Sequence, residues 1–154
     1  MTTSRGRIRY EEFAKNAPAA HSALLALGKA VDDSGLEKQL TELVKLRASQ
    51  INGCAFCLQY HLDLARKAGV DERKLGLLSA WRDASLFTPR ETAALSWAEA
   101  LTRIRPESAS DTEYATLREQ FSENEAIFLT VAIGTINQWN RIAVSLRFAP
   151  QLPR

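Results

Sequence analysis

Apolar positions recur at helical spacing along most of this chain. Leu36, Leu40, Leu43, Val44 and Ile51 fall on one face of a helix, which the pair Asn52-Gly53 should end. Upstream, Pro18 suits a first helical turn, and a helix over roughly residues 18 to 32 should stop at Ser34-Gly35. A third helix is expected from about Cys54 to Gly69, with the glycine as a left-handed cap, and Asp71 is placed to cap a fourth. Thr88, Ser110 and Ser122 each precede a glutamate by three residues, the pattern of a capping box, and Pro89 stands at the favoured first helical position. The last box opens the stretch "AIFLTVAIGTINQWNRIAVSLRF", whose first half is apolar on all sides. It predicts a central buried helix that Pro150 stops. No segment alternates long enough to form a strand. The pattern predicts an all-α fold of about six to eight helices in a single domain over residues 1–154.

Composition narrows the functional classes. At 154 residues the chain is large enough to bury a core without cross-links. Apolar residues make up 45% and charged residues 25%, an ordinary globular balance. The net charge of +2 is small and the basic residues are dispersed, so no nucleic-acid surface is indicated. No apolar run reaches the roughly 18 residues that a membrane span needs. The start, "MTTSRGRIRYEEF", has no apolar core of a secretory leader, which leads to an expectation of a cytoplasmic protein.

That expectation bears on "NGCAFCLQYHLDLARKAG", which holds both cysteines and one of the two histidines. In a reducing compartment a Cys-x-x-Cys pair is more often catalytic or metal-binding than structural. On a helix, Cys54, Cys57, Leu58, His61, Leu62 and Ala65 form one stripe, with Gln59, Asp63, Arg66 and Lys67 mainly opposite. The Asn52-Gly53 break puts both thiols in a first turn, where free N–H groups and the helix dipole favour a thiolate. His61, one turn beyond Cys57, can take a proton or hold charge beside the sulfur. A thiolate attacks a peroxide oxygen to give a sulfenic acid, and a second thiol condenses with it to a disulfide. The pair suits redox work. Two other readings stand beside it: two cysteines packed in a core, or a zinc site of Cys54, Cys57 and His61 with Glu42 or His21 as fourth ligand.

With Glu42 included, the segment "ELVKLRASQINGCAFCLQYHLDLARKAGV" closely resembles the alkylhydroperoxidase D (AhpD) branch of the carboxymuconolactone decarboxylase-like family. The pattern is a glutamate twelve residues before the first cysteine, Cys-x-x-Cys, and a histidine four residues after the second cysteine. Glu42, Cys54, Cys57 and His61 fill those places. "TPRETAALSWAEALT" and "FSENEAIFLTVAIGTINQWNRIAVS" extend the resemblance over about residues 36 to 147. It implies an all-α homo-oligomer, a trimer or hexamer. The activity it implies is thiol-peroxidase or disulfide-reductase chemistry with no cofactor and no metal, its electrons coming from a lipoyl-type or thioredoxin-like reductant. By the same resemblance Cys57 attacks the peroxide, Cys54 resolves, and His61 with Glu42 forms a proton relay. The position of His61 one turn from Cys57 agrees with that division. Some members carry a histidine directly before the second cysteine. Phe56 stands there in this chain, placed to shape an apolar pocket for an organic substrate.

The first functional expectation is therefore a thiol-dependent peroxidase acting on organic hydroperoxides, without nucleic acid or membrane as partner. A lyase of the decarboxylase branch and a non-enzymatic redox sensor are the alternatives. Without the resemblance, Glu42 would read as a solvated acid, since it aligns with Leu46 and Ser49 off the main apolar stripe. His21 reads as a partly buried structural histidine. Trp139, Asn140 and Arg141 suit helix packing, and Arg47 either pairs with a carboxylate near the site or is a surface charge.

Overall fold

The computed structural model describes residues 6–153, so the first five residues of the N-terminal stretch lie outside it. Among the described residues there are eight α-helices and no strand. They are α1 (Tyr10–Asn16), α2 (Pro18–Asp33), α3 (Lys38–Asn52), α4 (Ala55–Lys67), α5 (Glu72–Leu77), α6 (Pro89–Thr102), α7 (Asp111–Arg118) and α8 (Glu123–Leu146). A 3₁₀ turn, Leu78–Ala80, follows α5. The all-α expectation holds.

The capping chemistry works as the spacing suggests. Thr88, Ser110 and Ser122 each accept the N–H of the glutamate three residues on, and each glutamate reaches back to the cap N–H. Asp71 accepts from the Arg73 N–H at 2.8 Å and starts α5. Gly69 adopts φ +83 and closes α4, with Val70 N–H returning to the Ala65 carbonyl. The end of α8 departs from expectation. It stops at Leu146, where Arg147 adopts φ 55 and Phe148 N–H returns to the Ala143 carbonyl. A left-handed residue and the burial of Phe148 end this helix before Pro150 is reached. Helix α1 carries too short a pattern to stand out in the sequence.

The centre of the molecule also differs from expectation. Helix α3 packs against α4, α6 and α8, and it buries Leu40 through Val44 together with Leu46, Ala48 and Ser49. Helix α8 buries one stripe, Ala126, Leu129, Ala132, Ile133 and Ile136, while Ile127 remains 53% exposed. Neighbouring helices α2, α3, α4, α6 and α7 cover the rest of α8 and leave one stripe, Ile127, Thr130 and Gly134, exposed in its apolar first half, whereas α3 has no exposed residue after Gln39 and takes the central position. Three apolar clusters result. One lies between α3, α6 and α8, and another joins α3, α4 and α6 around Leu43, Leu78 and Trp81. The third gathers Ala48, Cys54, Phe56, Cys57, Ile136, Ala143 and Phe148, and α1 packs Tyr10 and Phe13 onto it. Among the described residues no helix is long and apolar enough to cross a membrane.

Candidate active site

The dithiol sits where two helices exchange caps. Gly53 ends α3 with φ 65, a conformation that glycine adopts without the Cβ strain of other residues. Gly53 N–H bonds the Gln50 carbonyl at 3.3 Å and Cys54 N–H bonds the Ser49 carbonyl at 3.1 Å, the paired bonds of a Schellman turn. Cys54 then becomes the N-cap of α4, and its Sγ accepts from the Cys57 N–H at 3.3 Å. Cys57 lies in the first turn. The two Cα atoms are 5.4 Å apart and the sulfurs are at disulfide distance. Both side chains are buried, Cys54 at 1% and Cys57 at 3% exposure.

His61 follows Cys57 by one turn and meets Glu42 across the α3–α4 interface, with Nδ1 to Oε2 at 2.7 Å. Glu42 is fully buried, not the solvated acid that its place off the stripe suggested. Its surroundings explain why burial is tolerated. Oε1 faces Lys38 Nζ at 3.1 Å and Lys45 Nζ at 3.3 Å, one helical turn to either side, and Oε2 faces the imidazole. Burial pushes the carboxyl pKa up, but the bond from His61 and the charges of His61, Lys45 and Lys38 outweigh it and hold it down at about 2. At neutral pH Glu42 is a carboxylate. It can fix the proton on His61 Nδ1, which leaves Nε2 as the ring nitrogen for proton exchange.

A cavity of about 320 Å³ opens beside the thiols. Cys57 and His61 line it and Cys54 does not, so the second sulfur is the one a small molecule can meet. Phe56 forms part of the wall, stacked on Tyr10 at 5.5 Å and on Tyr60 at 6.5 Å between ring centroids. Trp139 completes an aromatic lining, and Lys38 and Lys45 stand at the Glu42 side. Cys54, Cys57, His61 and Glu42 are thus brought into one constellation.

The remaining residues singled out in the sequence lie elsewhere. His21 Nε2 pairs with the Tyr10 hydroxyl at 2.8 Å. Arg47 donates to Glu99 at 2.8 Å, in a cluster completed by Trp81 and Arg82, and pairs with no carboxylate of the thiol site. Arg141 is exposed. Among the described residues no group of three or more His, Cys, Asp and Glu side chains is arranged to hold a metal. Tyr10, Lys38 and Lys45 also line the cavity, beyond the residues that the sequence motif points to. The lysines were readable as helical neighbours of Glu42, whereas nothing local in the sequence announces that α1 brings Tyr10 to the cavity.

Comparison with known proteins places the fold. The carboxymuconolactone decarboxylase family profile matches residues 18–100. The chain belongs to the carboxymuconolactone decarboxylase family. It is similar to an uncharacterized Bacillus subtilis protein, YdfG, at 35% identity over 91% of this chain and 93% of the relative. A crystal structure from Agrobacterium tumefaciens, of a protein of unknown function proposed there as an AhpD antioxidant defence protein, superposes with a TM-score of 0.89. That pair is 44% identical over 97% of this chain and all of the other. A peroxidase-related protein from Silicibacter shares 25% identity and a TM-score of 0.77, over 84% of this chain and 69% of its own. The family fold of this chain is AhpD-like.

Proposed function

We propose that this family member is a thiol-dependent peroxidase that reduces organic hydroperoxides through a Cys54–Cys57 dithiol/disulfide cycle. One observation carries the reading. Cys57 faces the cavity, while Cys54 lies behind it at disulfide distance and away from the lining. The Cys57 thiolate attacks the terminal peroxide oxygen, the O–O bond breaks, and the alkoxide leaves as an alcohol with a proton from the site. His61 supplies or accepts that proton through Nε2, and Glu42 keeps the ring oriented. The Cys57 sulfenic acid then condenses with the Cys54 thiol, forming the S–S bond and releasing water. A dithiol reductant of lipoyl or thioredoxin type restores both thiols. The likeness to candidate antioxidant and peroxidase-related proteins supports this reading.

We place the protein in the cytoplasm, where a reducing pool keeps the pair cycling. The aromatic wall around Phe56 suits a substrate with an organic body better than hydrogen peroxide. The test is steady-state turnover of an organic hydroperoxide with a lipoyl dithiol as reductant. Sustained consumption of both supports the enzyme. A single stoichiometric oxidation with no turnover under any dithiol would make the chain a sensor instead.

A further inference from the structure

The turn between α3 and α4 is tied to α8 by side chains that the chemistry above does not use. Asn52 Nδ2 donates to Oδ1 of both Asn137 and Asn140, each at 2.9 Å. Asn140 is 1% exposed and donates from Nδ2 to Ser49 Oγ at 3.0 Å. Asn137 in turn donates to the Ile133 carbonyl at 2.9 Å and to Thr102 Oγ1 at 3.0 Å. The bonds run without a break from α6 through α8 to the last turn of α3. Among the described residues no buried side-chain nitrogen or oxygen lacks a partner, so this network is complete.

Ser49 is where the network meets the thiols. Its hydroxyl is held by Asn140, and its carbonyl receives the Cys54 N–H. Asn52, three residues on, fixes the same turn from the side of Gly53. Cys54 precedes α4 and takes its position from this turn, whereas Cys57 sits inside the helix. Shifting the turn would move one sulfur and leave the other in place.

We propose that Asn52 and Asn140 are positioning residues for the resolving thiol. By clamping the α3–α4 turn to α8 they hold Cys54 Sγ in reach of Cys57, and so set how readily the disulfide closes. This inference rests on the dithiol reading above. In the closing step the Cys54 sulfur bonds to the Cys57 sulfur, the S–O bond of the sulfenic acid breaks, and water leaves with the Cys54 proton. A step of this kind gains its rate from the effective concentration of one group at the other, which a held turn raises. The same effective concentration fixes the equilibrium between dithiol and disulfide.

The test is the thiol–disulfide equilibrium of the full chain in buffers of reduced and oxidised dithiothreitol, read by alkylation and mass spectrometry. Peroxide is absent, so the result stands whether or not the protein reduces hydroperoxides. Asn52→Ala and Asn140→Ser should each lower the equilibrium constant for the disulfide at least tenfold, which raises the potential by about 30 mV. Thr102→Val removes only the far end of the network and should stay within twofold of wild type. With Cys54→Ser as background, adding Asn52→Ala should leave the rate of alkylation at Cys57 unchanged. If Asn140→Ser does not fold, Asn52→Ala decides, because Asn52 is only half-buried. A folded Asn52→Ala protein with a wild-type equilibrium overturns the proposal. So does a Thr102→Val protein shifted as far as Asn52→Ala, since that would mark a general loosening of the fold.

Discussion

Glu42 shows at the scale of one residue how neighbours decide the state of a buried acid. Two lysines and an imidazole more than offset its burial and hold its pKa at about 2. The sign of the pH dependence follows. A carboxyl whose folded pKa is lowered contributes stability above its ordinary value near 4.5, and that contribution is lost as pH falls through about 2. Wild type should therefore be more stable than Glu42→Gln at pH 6, and the gap between their urea midpoints should narrow as the pH approaches 2. A gap that is flat over this range would contradict the charge assignment. Glu42→Gln should also cut the peroxidase rate by about 10²-fold or more at neutral pH, in the range of general acid–base contributions. The amide can occupy the same space but cannot hold the imidazole with a charge. Helical content by circular dichroism should be unchanged. Among the thiols, Cys57→Ser should abolish peroxide reduction, and Cys54→Ser should leave a sulfenic acid on Cys57 that mass spectrometry detects. A stable sulfenic acid on Cys54 would reverse the assignment.

At the scale of elements, the cap exchange at Gly53 joins the end of one helix to the start of the next, and the dithiol is its product. Apart from its chain neighbours, no atom lies within 4 Å of where a Cβ would stand on Gly53, so substitution there meets no tertiary clash. Its cost is the left-handed backbone alone. Gly53→Ala should destabilise the protein by about 1–2 kcal/mol, measured by chemical denaturation. An unchanged midpoint would mean that the turn is not held in this conformation. Elements whose signals are local were readable from the chain: the three capping boxes, Asp71, Gly69 and the Asn52-Gly53 break all work as their spacing suggests. What was not readable depends on partners remote in sequence. Glu42 looks solvated beside Leu46 and Ser49 until α4 brings His61 across from 19 positions away. Pro150 is the local stop signal for α8, but the return of Phe148 into the third cluster stops it first. The stripe of Cys54, Cys57 and His61 was visible, but the cavity needs Tyr10 from α1 and Trp139 from α8, and no periodicity links those.

At the scale of the whole molecule, α3 occupies the centre and the site lies along its contact with α4, walled by α2 and α8 with Tyr10 of α1. Helix α8, apolar on more faces than its own chain covers, leaves Ile127 exposed, and Leu25 on α2 is 51% exposed as well. We propose that Ile127 packs against a further copy of this chain, in the homo-oligomer that the family resemblance implies. Sedimentation should find a trimer or hexamer, and Ile127→Glu should shift it toward smaller species if that face is the contact. The central claim, that the two sulfurs act as one redox unit, is tested most directly by counting thiols before and after one equivalent of an organic hydroperoxide. Two thiols per chain should disappear together, and the intact mass should fall by two hydrogens as an intrachain Cys54–Cys57 disulfide forms. Two thiols still titratable after excess hydroperoxide would contradict it.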